Sequence, residues 1–212
     1  MIALYAITRH PTPPVTTGRG MRVVSSGDLA VVCGPVITSD VTADALWQHE
    51  RIVESLMDDR DVLPVRYGTC LPDDAAAAHA IEVNRSTYAA LLEAVRGAVE
   101  LAVRVFASAQ SPPASLPSAG STTGTDYLRA RARAAEEESD TSARVHEPLA
   151  AIARAATVAR ASRAGEFLRA AYLVDRDATE SFSARVRDIQ SGNPQLRITC
   201  TGPWPPYSFA RP

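Results

Sequence analysis

Apolar residues in this chain come in short unbroken runs closed by breakers, alternating with longer stretches in which they recur every three or four positions. Residues 1–8 are such a run, closed by His10-Pro11-Thr12-Pro13-Pro14, which suits neither a ladder nor a helix interior, so they predict a strand. Met21–Ser25 and Leu29–Cys33 flank Ser26-Gly27-Asp28 and predict a hairpin. With Ser39 or Thr42 as N-cap, Ala45, Ile52 and Leu56 fall on one face beside Leu46, Val53 and Met57, which predicts a helix ending before Pro64. Val62–Thr69 reads as a strand, and Asp73 or Asp74 opens an alanine-rich helix to about Val95.

The second half carries the same pattern more plainly. Ala98–Ala107 predicts a strand, and Gln110–Gly124, rich in Ser, Pro, Thr and Gly, a flexible loop. Thr125 to about Ala155 predicts a helix broken near Pro148, followed by strands at Val158–Arg163 and Phe167–Val174 that turn at Gly165. Asp177 and Glu180 have capping-box spacing, Phe182, Val186 and Ile189 share a face, Gly192 ends that helix, and Leu196–Thr201 is the last strand. The order strand, helix, strand, strand, helix, strand is the split βαβ pattern. The sequence therefore predicts an α+β protein of two ferredoxin-like domains. The first, residues 1–96, is modified, a proline-rich loop replacing its first helix. The second, 97–212, includes the loop 110–124 and an extended Pro/aromatic tail, 203–212.

Composition narrows the function. Of 212 residues 46% are apolar and 22% charged, enough for a buried core, and the net charge of -2 gives no positive field for a nucleic-acid backbone. All 22 basic residues are arginine, and aromatics make up 6%, against the stacking platform of an RNA-binding sheet. Cys33, Cys70 and Cys200 form no C-x-x-C pair, and no leader or membrane span is predicted, so a reduced cytoplasm is expected. His49-Glu50 opens like a zinc-protease helix, but Val53 stands where the second ligand belongs, so a partly exposed helical histidine is expected instead. No nucleophile elbow, phosphate loop or dinucleotide fingerprint occurs, and Asp175-Arg176-Asp177 reads as a helix start with an Arg–Asp pair. Neither a cofactor nor an enzymatic activity is expected. In the long helix, Arg129, Arg131 and Arg133 precede Glu136, Glu137 and Glu138, a solvated face or a docking surface.

Three blocks carry a family resemblance. The chain ends Thr201-Gly202-Pro203-Trp204-Pro205-Pro206-Tyr207-Ser208-Phe209; Trp47–Glu54 runs into Asp61-Val62-Leu63-Pro64-Val65-Arg66-Tyr67-Gly68-Thr69; and Ala171–Arg176 is followed by Phe182 and Val186. Together they resemble the GvpL/GvpF family of gas vesicle proteins, with Tyr67 where phenylalanine is commoner. The resemblance implies a non-enzymatic accessory protein, without cofactor, that helps the apolar shell protein GvpA nucleate or assemble. GvpA and other gas vesicle accessory proteins are the expected partners, with no nucleic acid and no membrane. Leu63, Val65, Arg66 and Tyr67, with Trp204, Tyr207 and Phe209 of the tail, are the candidate interaction residues; Arg66 suits a partner carboxylate or, internally, Glu50 or Glu54. A small-molecule-binding regulatory module is the alternative.

Overall fold

A computed structural model describes residues 1–11, 15, 20–36, 41–108, 124–160, 163 and 165–210. The fold is α+β with antiparallel sheets. It divides into two compact units, Met1–Glu100 with Pro203–Pro212, and Leu101–Gly202. The tail is thus counted with the first unit, whereas the sequence reading attached it to the second.

The first unit contains β1 (Ile2–Arg9), β2 (Arg22–Ser26), β3 (Leu29–Pro35), α1 (Ala43–Met57), β4 (Leu63–Pro64), β5 (Cys70–Leu71), α2 (Asp74–Val83) and α3 (Arg85–Val95). Its strands are ordered β2-β3-β1-β4, with β5 also on β1. The hairpin forms as expected, Gly27 supplying the positive φ of 62° at its turn. Thr42 is the N-cap of α1, its hydroxyl accepting from the Ala45 N–H at 3.2 Å. Ser39, the other candidate cap, lies outside the described residues. Tyr5, Ala6 and Val32 of the sheet and Ile52, Val53, Leu56 and Met57 of α1 form its core.

Two expectations fail in this unit. Val62–Thr69 is not one strand: Ala6 pairs with Pro64 and Ala3 with Cys70, so residues 65–69 face only Leu4 and Tyr5 of β1 and leave the ladder. The alanine-rich helix is two helices, because Asn84 adopts φ -107° and ψ 15° and its side-chain amide donates to the Ala80 carbonyl at 2.9 Å.

The second unit is formed by β6 (Ala98–Ala107), α4 (Gly124–Ala150), β7 (Ala155–Ala159), β8 (Glu166–Asp175), α5 (Thr179–Ser191) and β9 (Leu196–Trp204), with strand order β7-β8-β6-β9; the division falls inside β6 and β9. Phe182, Val186 and Ile189 of α5 share a buried face as the spacing predicts, packing with Val145 and Leu149 of α4 and Leu168 and Tyr172 of β8. The loop expected at 110–124 falls outside the described residues up to 123.

Here too the structure corrects details. α4 continues through Pro148, which removes the N–H that the Arg144 carbonyl would accept, and ends two residues later at Ala150. β7 comes three residues earlier than expected. Asp177 lies in a 3-10 turn, Arg176–Ala178, and Ala178 rather than a carboxylate precedes α5. Asp175 pairs with Arg154, not Arg176. β9 runs on to Trp204, and beyond it the tail turns instead of staying extended: the Tyr207 N–H donates to the Pro205 carbonyl at 2.8 Å, and the Phe209 N–H to Pro206 at 3.1 Å.

Candidate functional site

The sequence-predicted interaction residues converge on the first unit, and α1 supplies the wall. Ala45, His49, Ile52, Val53, Leu56 and Met57 are its buried face, while Val41 just before it and Leu46 and Trp47 in its first turns remain exposed, Val41 by 82% and Trp47 by 63%. A soluble helix ordinarily spends such side chains on its core. His49 is not partly exposed as expected but 2% exposed. Its Nε2 lies 2.8 Å from the Val65 carbonyl; a carbonyl only accepts, so Nε2 carries the proton and donates. Its ring stacks on Tyr5 at 4.9 Å and meets Tyr67 edge-on at 5.6 Å. Tyr5 is placed for this by a bulge, the extra residue between the Leu4–Cys33 and Ala6–Val32 pairs. Burial pushes the His49 pKa below its ordinary value, an effect the Val65 hydrogen bond opposes.

The segment that leaves the ladder forms the rim. The Val65 N–H donates to the Tyr5 carbonyl at 2.8 Å, the Leu4 N–H to Thr69 at 3.0 Å, and the Thr69 N–H back to Arg66 at 3.2 Å. Gly68 supplies φ 85° at the third position of this four-residue turn. Arg66 and Tyr67 are thereby lifted off the sheet. Arg66 is exposed and makes no ion pair among the described residues, so neither Glu50 nor Glu54 engages it.

The tail closes the third side. Glu100, 8% exposed, accepts the Ser208 N–H and the Ser208 hydroxyl at 2.8 Å each, one on either carboxylate oxygen. Burial raises the Glu100 pKa, and the two Ser208 bonds offset part of that rise. This clasp sets Tyr207 beside Glu50. The Tyr207 hydroxyl is buried and falls short of good hydrogen-bond geometry, yet the two groups are near enough to shift each other. The phenol is pushed well above its ordinary value by burial and by the Glu50 charge, and Glu50 is raised chiefly by its own burial.

Two open clefts meet at Arg66 and Tyr207. One, about 480 Å³, is lined by Val41, Leu46, Glu50, Arg66, Tyr67 and Tyr207. The other, about 410 Å³, runs past Leu63, Val65, Arg66 and Tyr88. Val65, Arg66, Tyr67 and Tyr207 are therefore brought together, while Leu63 is 2% exposed and forms a floor. Phe209 is half-buried and Trp204 37% exposed, and neither lines these clefts. Sequence reasoning missed the structural role of His49, the free apolar trio at the start of α1, and the Glu100–Ser208 clasp. A lone acid inside the apolar run Ala98–Val103 was the available signal for the clasp. Among the described residues no cluster of three or more His, Cys, Asp or Glu is placed to hold a metal, and no helix is long and apolar enough to cross a membrane. The arrangement offers apolar notches beside an arginine, a surface for contact.

A family model described as gas vesicle synthesis protein GvpL/GvpF matches residues 2–211. The chain is 31% identical to gas vesicle protein L of a Streptomyces species, covering 98% of this chain and 91% of that one. It is 26% identical to gas vesicle protein F2 of Halobacterium salinarum, covering 88% and 78%. Among solved structures, the crystal structure of gas vesicle protein GvpF from an Anabaena species superposes with a TM-score of 0.84 at 18% identity over 100% of this chain and 96% of that one. GvpF from Microcystis aeruginosa gives 0.82, also at 18%, over 100% and 99%. At that identity the two crystal structures bear on the fold alone.

Proposed function

Because the chain belongs to the GvpL/GvpF family of gas vesicle synthesis proteins, and so has a role in gas vesicle formation, we infer that it is a non-enzymatic accessory protein. It binds the shell protein GvpA, other gas vesicle accessory proteins, or both, during nucleation or assembly, and works in the cytoplasm in association with the vesicle. The observation that carries this reading is the first-unit cleft in which exposed Val41 and Leu46 stand beside Arg66, a guanidinium without an ion pair among the described residues, with Trp47 exposed in the same first turns of α1. An apolar rim around one cation suits a partner segment that presents apolar side chains next to a carboxylate. Val65, Tyr67 and Tyr207 shape the notch, Leu63 supports it, and Trp204 and Phe209 extend it along the tail. In fold terms, we read both units as split βαβ, ferredoxin-like sheets. Each has its first strand flanked by its third and fourth, and the second strand outermost.

The test is co-purification of tagged chain with GvpA from cells making both, alongside Arg66→Glu and Leu46→Asp. Both substitutions are on exposed side chains, so the variants should melt like the parent. Recovery of GvpA with the parent and its loss with folded variants is the expected result. Equal recovery with all three would remove this face from the interaction, and no recovery with any would remove direct binding of the shell protein. The 410 Å³ cleft favours a second reading, a small-molecule-binding module; a thermal shift of the parent by a metabolite, lost in Arg66→Glu, would support it.

A further inference from the structure

Among the described residues β7 is outermost in its sheet and paired on one side only, Ala155 opposite Leu173 through Ala159 opposite Arg169. All five of its residues, Ala155-Ala156-Thr157-Val158-Ala159, are exposed, so neither face of the strand is covered, and Val158 is 54% exposed. An outer strand turns a row of N–H and C=O groups away from its partner, and proteins normally blunt that row with charge, proline, a bulge or extreme shortness. The other outer strands of this protein use these devices. β2 carries Arg22, ion-paired with Asp74 of α2, and Ser26, bonded to Glu82 of α2 at 2.8 Å. β4 and β5 have two residues each, and β9 carries Arg197 and Pro203. β7 uses none of them.

We propose that β7 is a docking edge that takes up one extended segment of another protein, a segment of small or β-branched residues flanked by carboxylates. The ladder geometry dictates an extended partner, because only a strand matches the outward row of backbone groups. The charges dictate its flanks. Arg160 and Arg163 are exposed around one end of β7, and Arg154 stands at the other, paired with Asp175. A second copy of this chain is the wrong occupant: antiparallel pairing about Thr157 would set Arg154 against Arg160 of the second copy at both ends, and like charges directly opposite destabilise a ladder. This surface is independent of the first-unit face, and a result on either leaves the other standing.

The probe is a fluorescein-labelled peptide, DDVTVTVDD, titrated against the full chain, with KKVTVTVKK and DDVPVPVDD as controls. Fluorescence polarisation reads affinity, and amide hydrogen exchange reads protection at residues 155–159. Successive N–H groups point opposite ways along a strand, so of Thr157→Pro and Val158→Pro one strikes the outer row and spares the β8 ladder. The expected result is that DDVTVTVDD binds about tenfold more tightly than either control and protects 155–159, and that the proline variant retaining the parental melting temperature loses that binding. Arg160→Glu with Arg163→Glu should reverse the preference toward KKVTVTVKK. Absence of binding by DDVTVTVDD, equal binding of the proline-containing control, or protection outside β7 would overturn the proposal. So would a dimer in sedimentation equilibrium that Val158→Lys abolishes, since β7 would then serve self-association.

Discussion

The two units share a strand order and each has an apolar core, but the hydrogen bonds that tie side chains to backbone sit in different places. In the second, a continuous apolar layer of Tyr172, Phe182, Leu149 and Leu168 fills the space between sheet and helices. In the first, side chains are tied to backbone across the core: His49 to the Val65 carbonyl, the Thr8 hydroxyl to the Asp61 carbonyl at 3.1 Å, the Gly97 N–H to the Asp61 carboxylate at 2.8 Å, and Glu100 to Ser208. Apolar packing fixes volume and leaves orientation loose, whereas a hydrogen bond fixes direction. In the first unit these ties lie around Arg66, Tyr67 and Tyr207, the residues proposed for contact, whereas in the second they gather where α5 meets β9, at Gln190 and Asn193.

That contrast breaks or sharpens under substitution. The largest effect belongs to the apolar layer: Phe182→Ala should cost about 3–5 kcal/mol in urea unfolding. If it costs no more than a surface change, the second unit is not held by packing. Next comes His49→Ala, which strands the Val65 carbonyl and opens space against Tyr5, for a loss of about 1–3 kcal/mol. His49 also sets an acid limit. Its folded pKa lies below the ordinary value of 6.5, so its contribution is present above 6.5 and is lost as pH falls through the lowered value. In His49→Gln that slope should vanish from the pH dependence of the melting temperature.

Glu100→Gln should cost about 1 kcal/mol: the amide oxygen can still accept the Ser208 N–H and the amide nitrogen donate to the Ser208 hydroxyl oxygen, but both bonds lose the charge of the carboxylate. Its linkage runs the other way: the folded pKa is raised, so stability falls as pH rises from 4.5 through the raised value, and the variant should lose that decline. Faster amide exchange at residues 207–209 would confirm that the clasp holds the tail. The smallest effect should come from Arg22→Ala, an exposed pair that covers an edge: unchanged melting, but faster exchange along β2.

Local signals made most elements legible. Ala98–Ala107 was readable as an apolar run, Thr42 as a cap, Ser26-Gly27-Asp28 as a turn, and Phe182, Val186 and Ile189 as one face, because each depends on neighbours in sequence. What escaped was set at long range. The excursion at 65–69 exists because Leu4 and Tyr5 of β1 accept and donate to it, and nothing between Val62 and Thr69 announces a partner so distant. The site was half legible for the same reason. Val65, Arg66, Tyr67 and Tyr207 stood in the resembling blocks, but the Glu100–Ser208 clasp spans 108 positions: a lone acid in an apolar run marks one end, and nothing local names the other.

The return of the tail has a consequence for the order in which the protein is made. Synthesis runs from the N-terminus, at roughly 5–20 residues per second, so all of Leu101–Gly202 is synthesised before Ser208 exists to meet Glu100. A chain that stops between Gly202 and Ser208 could carry a complete second unit and still lack the clasp. The clasp forms only on chains translated past residue 208, so the proposed contact face would have its third wall on those chains alone.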